Sequence, residues 1–540
     1  MTIARLGQDR ATVRVLTGNA PWQGVIEIAT RKPKGARDGL DAVGLGRRVL
    51  HGMAWMLAQN VAARACSLLS QLALAALLLP ADFGVIGLAY TVTSVASVLV
   101  NVGIDEVAMQ RQRALRLWIG PVFWMTFGLA MVAATLVLVV APAAAAAYGA
   151  PDIVGLLAVL ALSMPIGALA SAPGVLMRAR MQFSFIAAYG TLEIVAQAAL
   201  TVGLAWAGFG AYSFVLPTPV LAAVKAVVWW RVAGTRARFR PQVGRWRYVA
   251  GNTAVVFVTR SLVALVGQGD YIVLGLLASQ DVVGVYYFGF RLAAQPLWML
   301  AGNFSNVLLP ALVQLNPEPA RQMKAALDAS VLLSFCVMPL AMLQTAVAAP
   351  LIVSLFGEKW ATAVPVIQLL SVGLAFDAVS WVAGTLLSAR GDFRTVFVYA
   401  LAQTPLFFGL VVAGAVLDGA VGVAWCVFGF YVVTQPFFVI RTYERLGSTL
   451  REGLAIYAKP LALSAAAVGG AMLASSLAAR PLNRVLIILA LGGAFYAMLV
   501  HWLAPEVWHG MRDRLISNSK CLPLAMSSHR DLGCDVGGRF

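Results

Sequence analysis

The chain has 540 residues, 60% of them apolar and only 12% charged, with a mean hydropathy of +0.82 and a formal net charge of +17. Soluble domains carry about a quarter charged residues, so soluble, disordered and disulfide-rich secreted classes are excluded and a polytopic membrane protein remains. The apolar runs are continuous rather than alternating with period two, which excludes a β-barrel.

Residues 1–48 are polar and basic and contain no apolar core of signal-peptide length. They read as a disordered cytoplasmic arm, or as residues ahead of a true start at Met53. Apolar runs between turn signals then place helices near 54–79, 84–104, 117–140, 153–173, 184–206, 211–231, 249–277, 284–312, 329–350, 363–388, 395–416, 420–440, 457–478 and 484–504. The expected fold is an all-α integral membrane protein of about fourteen transmembrane helices. Its lobes are 49–232 (helices 1–6) and 249–441 (helices 7–12), joined by a basic linker at 233–248. Accessory helices 13 and 14 occupy 442–504, and 505–540 is a cytoplasmic tail.

Alternate loops differ sharply in charge. The set 105–117, 174–183, 231–248, 313–328, 389–395 and 441–453 holds 18 Lys and Arg. The opposite set holds Lys359 and Arg480, with Arg484 at its edge. Basic loops stay cytoplasmic, which also puts both termini there. The run from Arg231 to Arg247 is read as such a loop, not as a nucleic-acid site.

The two six-helix stretches read as copies. Each opens on Asn60 or Asn252, continues through Arg64 or Arg260, and reaches a short turn at Pro80–Val85 or Ser279–Val285. An even number of spans per copy makes this a parallel repeat, with its pseudo-two-fold axis along the membrane normal.

Charges inside spans are costly and need a partner or a wet cavity. Six lie deep: Arg64, Glu193, Arg260, Asp270, Arg291 and Asp377. Lys225 is closer to a helix end and is read as snorkelling. Helical spacing lines polar residues up with these charges, giving Asn60, Gln71, Ser97, Asn101, Thr253, Gln295 and Asn306 as candidate cavity-lining positions. A cavity with several guanidinium groups favours an anionic, phosphate-bearing substrate. Glu193, Asp270 and Asp377 are then candidate proton or cation couplers, with pairing to a base the competing reading. Neither a nucleotide-binding loop nor a nucleophile–base pair is found, and the five cysteines and four histidines form no metal-ligand spacing. No enzyme activity, cofactor or metal is expected.

Four segments share one likeness: LLLPADFGVIGLAYTVTSVASVLVNVGIDEVAMQRQ (77–112), GDYIVLGLLASQDVVGVYYFGFRLAAQPLWMLAGNFSNVLLPAL (269–312), LFGEKWATAVPVIQLLSVG (355–373) and LSARGDFR (387–394). Together they resemble the bacterial lipid-linked oligosaccharide flippases and polysaccharide exporters, in the superfamily that also holds multidrug and toxin extrusion transporters. The resemblance implies two six-helix lobes around a cationic cavity and a polyprenyl-diphosphate-linked oligosaccharide flipped across the inner membrane. It would give Arg64, Arg260 and Arg291 the diphosphate, with the bilayer and a polysaccharide polymerase as partners. The alternative within the superfamily is a cation-coupled multidrug or metabolite antiporter. A membrane enzyme acting on the same glycolipids would need a large external loop, and none exceeds about twelve residues.

Overall fold

The structure, a computed structural model, describes residues 66–100, 115–180, 182–234, 246–478 and 480–506. Among them there is no strand. The helices are α1 (Cys66–Leu77), α2 (Pro80–Val100), α3 (Leu115–Ala147), α4 (Ile153–Ala168), α5 (Ser171–Ala179), α6 (Phe183–Trp206) and α7 (Pro217–Ala233). They continue with α8 (Trp246–Leu277), α9 (Gln280–Gln314), α10 (Pro319–Phe356), α11 (Ala363–Arg390), α12 (Phe393–Glu444), α13 (Leu450–Ser475) and α14 (Pro481–Leu503). Among the described residues, ten helices are long and apolar enough to cross a membrane, and the bent pair α4–α5 makes an eleventh candidate. Large apolar side chains stand on the outer surface, Val139 at 69% exposure and Val416 at 72%, as lipid contact requires.

Local sequence explains where helices start, bend and stop. Proline stands in the first turn of α7, α10 and α14, where its missing N–H costs nothing. Thr449 and Glu452 form a reciprocal capping box at the start of α13. The span predicted at 153–173 is broken after Ala168 and bends by 43° into α5, a few residues beyond Pro165.

The 52-residue α12 is a hairpin. Asp418 and Gly419 leave helical geometry (Gly419 φ +49°), and a Cβ added at Gly414 would lie 2.5 Å from the Gly422 carbonyl oxygen. In a straight helix those residues would sit about 12 Å apart along the axis. Rings pair across the fold, Tyr399 with Phe438 at 4.7 Å and Phe407 with Phe430 at 5.1 Å. The two arms therefore match the separate spans predicted at 395–416 and 420–440.

One continuous hydrophobic core extends from Leu74 of α1 to Tyr457 of α13. Its bulkiest fully buried side chains include Trp360, Tyr286, Tyr443, Phe83, Phe288 and Phe407.

Candidate functional site

The N-terminal and C-terminal helices meet where α2 crosses α9. A Cβ on Gly84 would stand 1.9 Å from the Gln280 carbonyl oxygen, and one on Gly284 would stand 1.8 Å from that of Pro80. Only hydrogen at both positions lets the backbones approach this closely. Around the crossing, Phe83 of α2 packs against Phe288 of α9 (5.8 Å) and Trp360 (5.2 Å), and those two rings lie 4.3 Å apart. Trp360 Nε1 donates to the Ala75 carbonyl (3.0 Å), and Lys359 donates to the Leu78 carbonyl. Lys359 thereby caps carbonyls at the end of α1 that the helix leaves without partners. Gln280 Nε2 donates to the Gly149 carbonyl at 3.3 Å. These contacts form an apolar, hydrogen-bonded seal at the molecule's charge-poor end.

Further along, Gln71 of α1 and Gln295 of α9 are 7% and 6% exposed. Gln295 Nε2 donates to Gln71 Oε1 (2.9 Å), and Gln71 Nε2 donates to the Phe288 carbonyl (3.4 Å). These two candidate cavity-lining residues are buried and join α1 to α9 by a direct amide contact. The pairing leaves Gln295 Oε1 as a buried acceptor with no partner among the described residues. Ser97 donates to the Ser94 carbonyl at 2.7 Å, within its own helix.

Arg291 lies 11 residues into α9, about 17 Å from the charge-poor end and thus near the middle of a 30 Å hydrocarbon layer. Its Nη1 donates to the Tyr287 hydroxyl at 2.7 Å, and its guanidinium lies over the Tyr287 ring. Among the described residues no carboxylate pairs with Arg291.

The three carboxylates differ. Asp270 of α8 is buried (2% exposed); it accepts from the Tyr286 hydroxyl (2.8 Å) and from the Tyr271 backbone N–H (2.9 Å). Asp377 of α11 accepts from Trp381 Nε1 at 3.2 Å. Neither meets a base among the described residues. Glu193 of α6 is instead bound by Lys225 of α7 through both oxygens, at 2.9 and 3.2 Å. That contact corrects the snorkelling reading of Lys225, because an opposite charge within the bilayer holds the ammonium more cheaply than an extended reach to water.

Asn60, Arg64 and Asn101 lie outside the described residues, as do the side chains of Thr253, Arg260 and Asn306. The structure thus brings together Gln71, Gln295, Arg291 and Asp270 near the lobe boundary and leaves Glu193 apart with Lys225. Sequence reading missed Tyr286, the neutral donor to Asp270, and Tyr287, the neutral acceptor for Arg291. Their one signal is position: two adjacent tyrosines in the turn of helix that precedes Arg291.

An all-helical chain with at least ten apolar spans and ionisable groups set within them defines the broad class of polytopic membrane proteins. Residues 73–365, more than half of the chain, match the polysaccharide biosynthesis protein family, and the chain belongs to it. It is 25% identical over 360 residues to the succinoglycan biosynthesis transport protein ExoT of Rhizobium meliloti, covering 64% of this chain and 70% of that one. It is 23% identical over 428 residues to the lipopolysaccharide biosynthesis protein WzxC of Escherichia coli, covering 76% and 84%. Among solved structures, the lipid II flippase MurJ in an inward closed conformation superposes with a TM-score of 0.67 at 13% identity, over 83% of this chain and 99% of that one. An inward-facing multidrug resistance transporter of the MATE family gives 0.54 at 17% identity. At such identities these structures establish the fold and nothing finer.

Proposed function

We propose that the chain is an inner-membrane flippase that moves a polyprenyl-diphosphate-linked oligosaccharide from the cytoplasmic to the periplasmic leaflet by alternating access, for lipopolysaccharide, exopolysaccharide or capsule assembly. The observation that carries this reading is Arg291, a guanidinium at mid-bilayer depth beside the lobe boundary that pairs with no carboxylate among the described residues. A planar donor fork of this kind takes two phosphate oxygens at once, and a diphosphate would supply the missing counter-charge. Membership of the polysaccharide biosynthesis family, and the transport role in the name of ExoT, support the same substrate class. Arg64 and Arg260 are assigned the same role as Arg291.

The remaining parts follow from charge and contact. Fourteen spans with both termini cytoplasmic agree with the basic loops, and the charge-poor end is then periplasmic. The reciprocal Gly84–Gln280 and Gly284–Pro80 contacts support a parallel repeat, since a two-fold axis makes each residue meet its counterpart's neighbour. Phe83, Phe288 and Trp360 act as the periplasmic gate, closed while substrate loads from the cytoplasmic leaflet. Asn60, Ser97, Asn101, Thr253 and Asn306 line the cytoplasmic side of the path. Asp270 and Asp377 are the couplers, because a carboxylate held by neutral donors changes the local charge by one whole unit when it gains a proton or cation. A polysaccharide polymerase receives the product. No covalent bond changes in this cycle, and the protein's work is binding and rearrangement.

Export of surface polysaccharide in a strain lacking its own flippase tests the reading. Arg291→Ala should cut export by about tenfold or more at unchanged protein level, and Arg291→Lys should fall between, keeping charge without the fork. Undiminished export by Arg291→Ala would remove the proposal's central group.

A further inference from the structure

A second cationic feature lies away from the lobe boundary, between the two arms of the α12 hairpin. A cleft of about 560 Å³ is lined by Tyr399, Phe437, Arg441, Glu444 and Arg445. A smaller space of about 320 Å³ adjoins it, sharing Tyr399 and Arg445 and adding Arg394, Val398 and Ala402. The arms are antiparallel, so residues near their outer ends share one depth. Arg394 and Arg445 stand at the mouth; Val398 and Phe437 lie about 8–10 Å below it and Ala402 about 14 Å.

Two carboxylates lie close, and both are engaged. Glu444 meets Arg441 at 3.5 Å. Asp392 accepts from the Thr395 hydroxyl (2.7 Å) and backbone N–H (3.1 Å). Arg394 and Arg445 are exposed, and their guanidiniums make no ion pair within 4 Å and no hydrogen bond among the described residues, though both lie near enough to Asp392 to favour its ionised form. Beneath them the wall is aromatic and apolar, with Val398 at 55% exposure and Phe437 at 53%. The cleft is therefore cationic at its mouth, on the basic-loop side, and greasy in its throat.

We infer that this cleft binds an anionic phospholipid of the adjacent leaflet, its phosphate between Arg394 and Arg445 and its upper acyl chain along Val398, Ala402 and Phe437. Charge complementarity selects the phosphate, since a zwitterionic headgroup brings its own cation to two guanidiniums that have only the Asp392 carboxylate between them. The layering selects a lipid over free phosphate, which would leave the apolar throat exposed. The inference does not rest on what the chain transports.

The test is lipid retention by the full-length protein, read by native mass spectrometry after equal exposure to phosphatidylglycerol and phosphatidylcholine. Wild type should retain phosphatidylglycerol preferentially. Arg394→Gln with Arg445→Gln should lower that retention about thirtyfold, at roughly fivefold for each basic group. Arg321→Gln, whose guanidinium already pairs with Glu318 at 3.4 Å, should leave it unchanged. If the double variant does not fold, each single variant carries the test with a fivefold fall. Equal retention by wild type and variant overturns the assignment. So does a variant that keeps phosphatidylglycerol and loses only farnesyl diphosphate, which would make the cleft a diphosphate site, and so does retention of inorganic phosphate alone.

Discussion

The two halves of the molecule hold a carboxylate within their spans in opposite ways. In the N-terminal half, Glu193 is locked to Lys225 across two helices at 2.9 Å. In the C-terminal half, Asp270 and Asp377 are held by a phenol and an indole, with no positive partner among the described residues. A paired charge keeps its state and acts as a structural rivet. One held by neutral donors can change charge without breaking an ion pair, so the two arrangements predict different functional and structural consequences when they are altered.

The largest expected effect tests whether the halves are equivalent where they touch. Gly84 and Gly284 each leave under 2 Å between a hypothetical Cβ and the partner's backbone oxygen. Alanine at either site must push α2 and α9 apart by more than about 1 Å, and packed interiors do not absorb such a shift. Gly84→Ala and Gly284→Ala should each abolish polysaccharide export, and to the same extent if a two-fold axis relates the contacts. A strongly unequal pair of losses would break the symmetry.

The carboxylates come next. Asp270→Asn should reduce export by about tenfold or more while leaving the melting temperature in detergent close to wild type, because tyrosine still has an acceptor. Glu193→Gln should do the reverse, with export largely kept and about 1–2 kcal/mol of stability lost, after allowing for a pair that is roughly a third exposed. Glu193→Gln combined with Lys225→Met should recover most of that loss. Stability unchanged in Glu193→Gln alone would dissolve the contrast between the halves.

Much of this arrangement was legible in the sequence, and the exceptions have physical causes. Helix positions followed from apolar runs bounded by turn residues, but the run at 329–350 proved to be the middle of α10, Pro319–Phe356. Its first turns carry Arg321 and Lys324, polar residues that extend the helix beyond the hydrocarbon layer and so escape a hydropathy reading. The charged residues announced themselves as violations of the apolar pattern; their partners did not. Tyr286 lies 16 residues from Asp270 and Lys225 lies 32 from Glu193, and only packing reveals that they meet. The seal of Phe83, Phe288 and Trp360 was invisible for another reason. In a chain that is 60% apolar, no single aromatic residue stands out.

A carboxylate outside the spans supplies the reference for these contrasts, with the smallest effect. Asp392 caps α12, and hydrogen bonds from the Thr395 hydroxyl and backbone N–H, aided by Arg445 and Arg394, hold its carboxyl below the usual range. A depressed carboxyl contributes stability that is fully present above its unfolded value of about 3.9 and is lost as pH falls through the lower folded value. Thermal melts in detergent from pH 6 down to pH 3 should therefore show a late acid loss in wild type that Asp392→Asn lacks. Asp392→Ala should cost about 1 kcal/mol at pH 6, the worth of an N-cap. Both variants should leave export at pH 7 intact, since this carboxylate touches neither the lobe boundary nor its arginine. An export defect in Asp392→Asn as deep as that of Asp270→Asn would mean that ionisable groups matter through global stability, and that the distinction between riveted and neutral-held carboxylates explains nothing about transport.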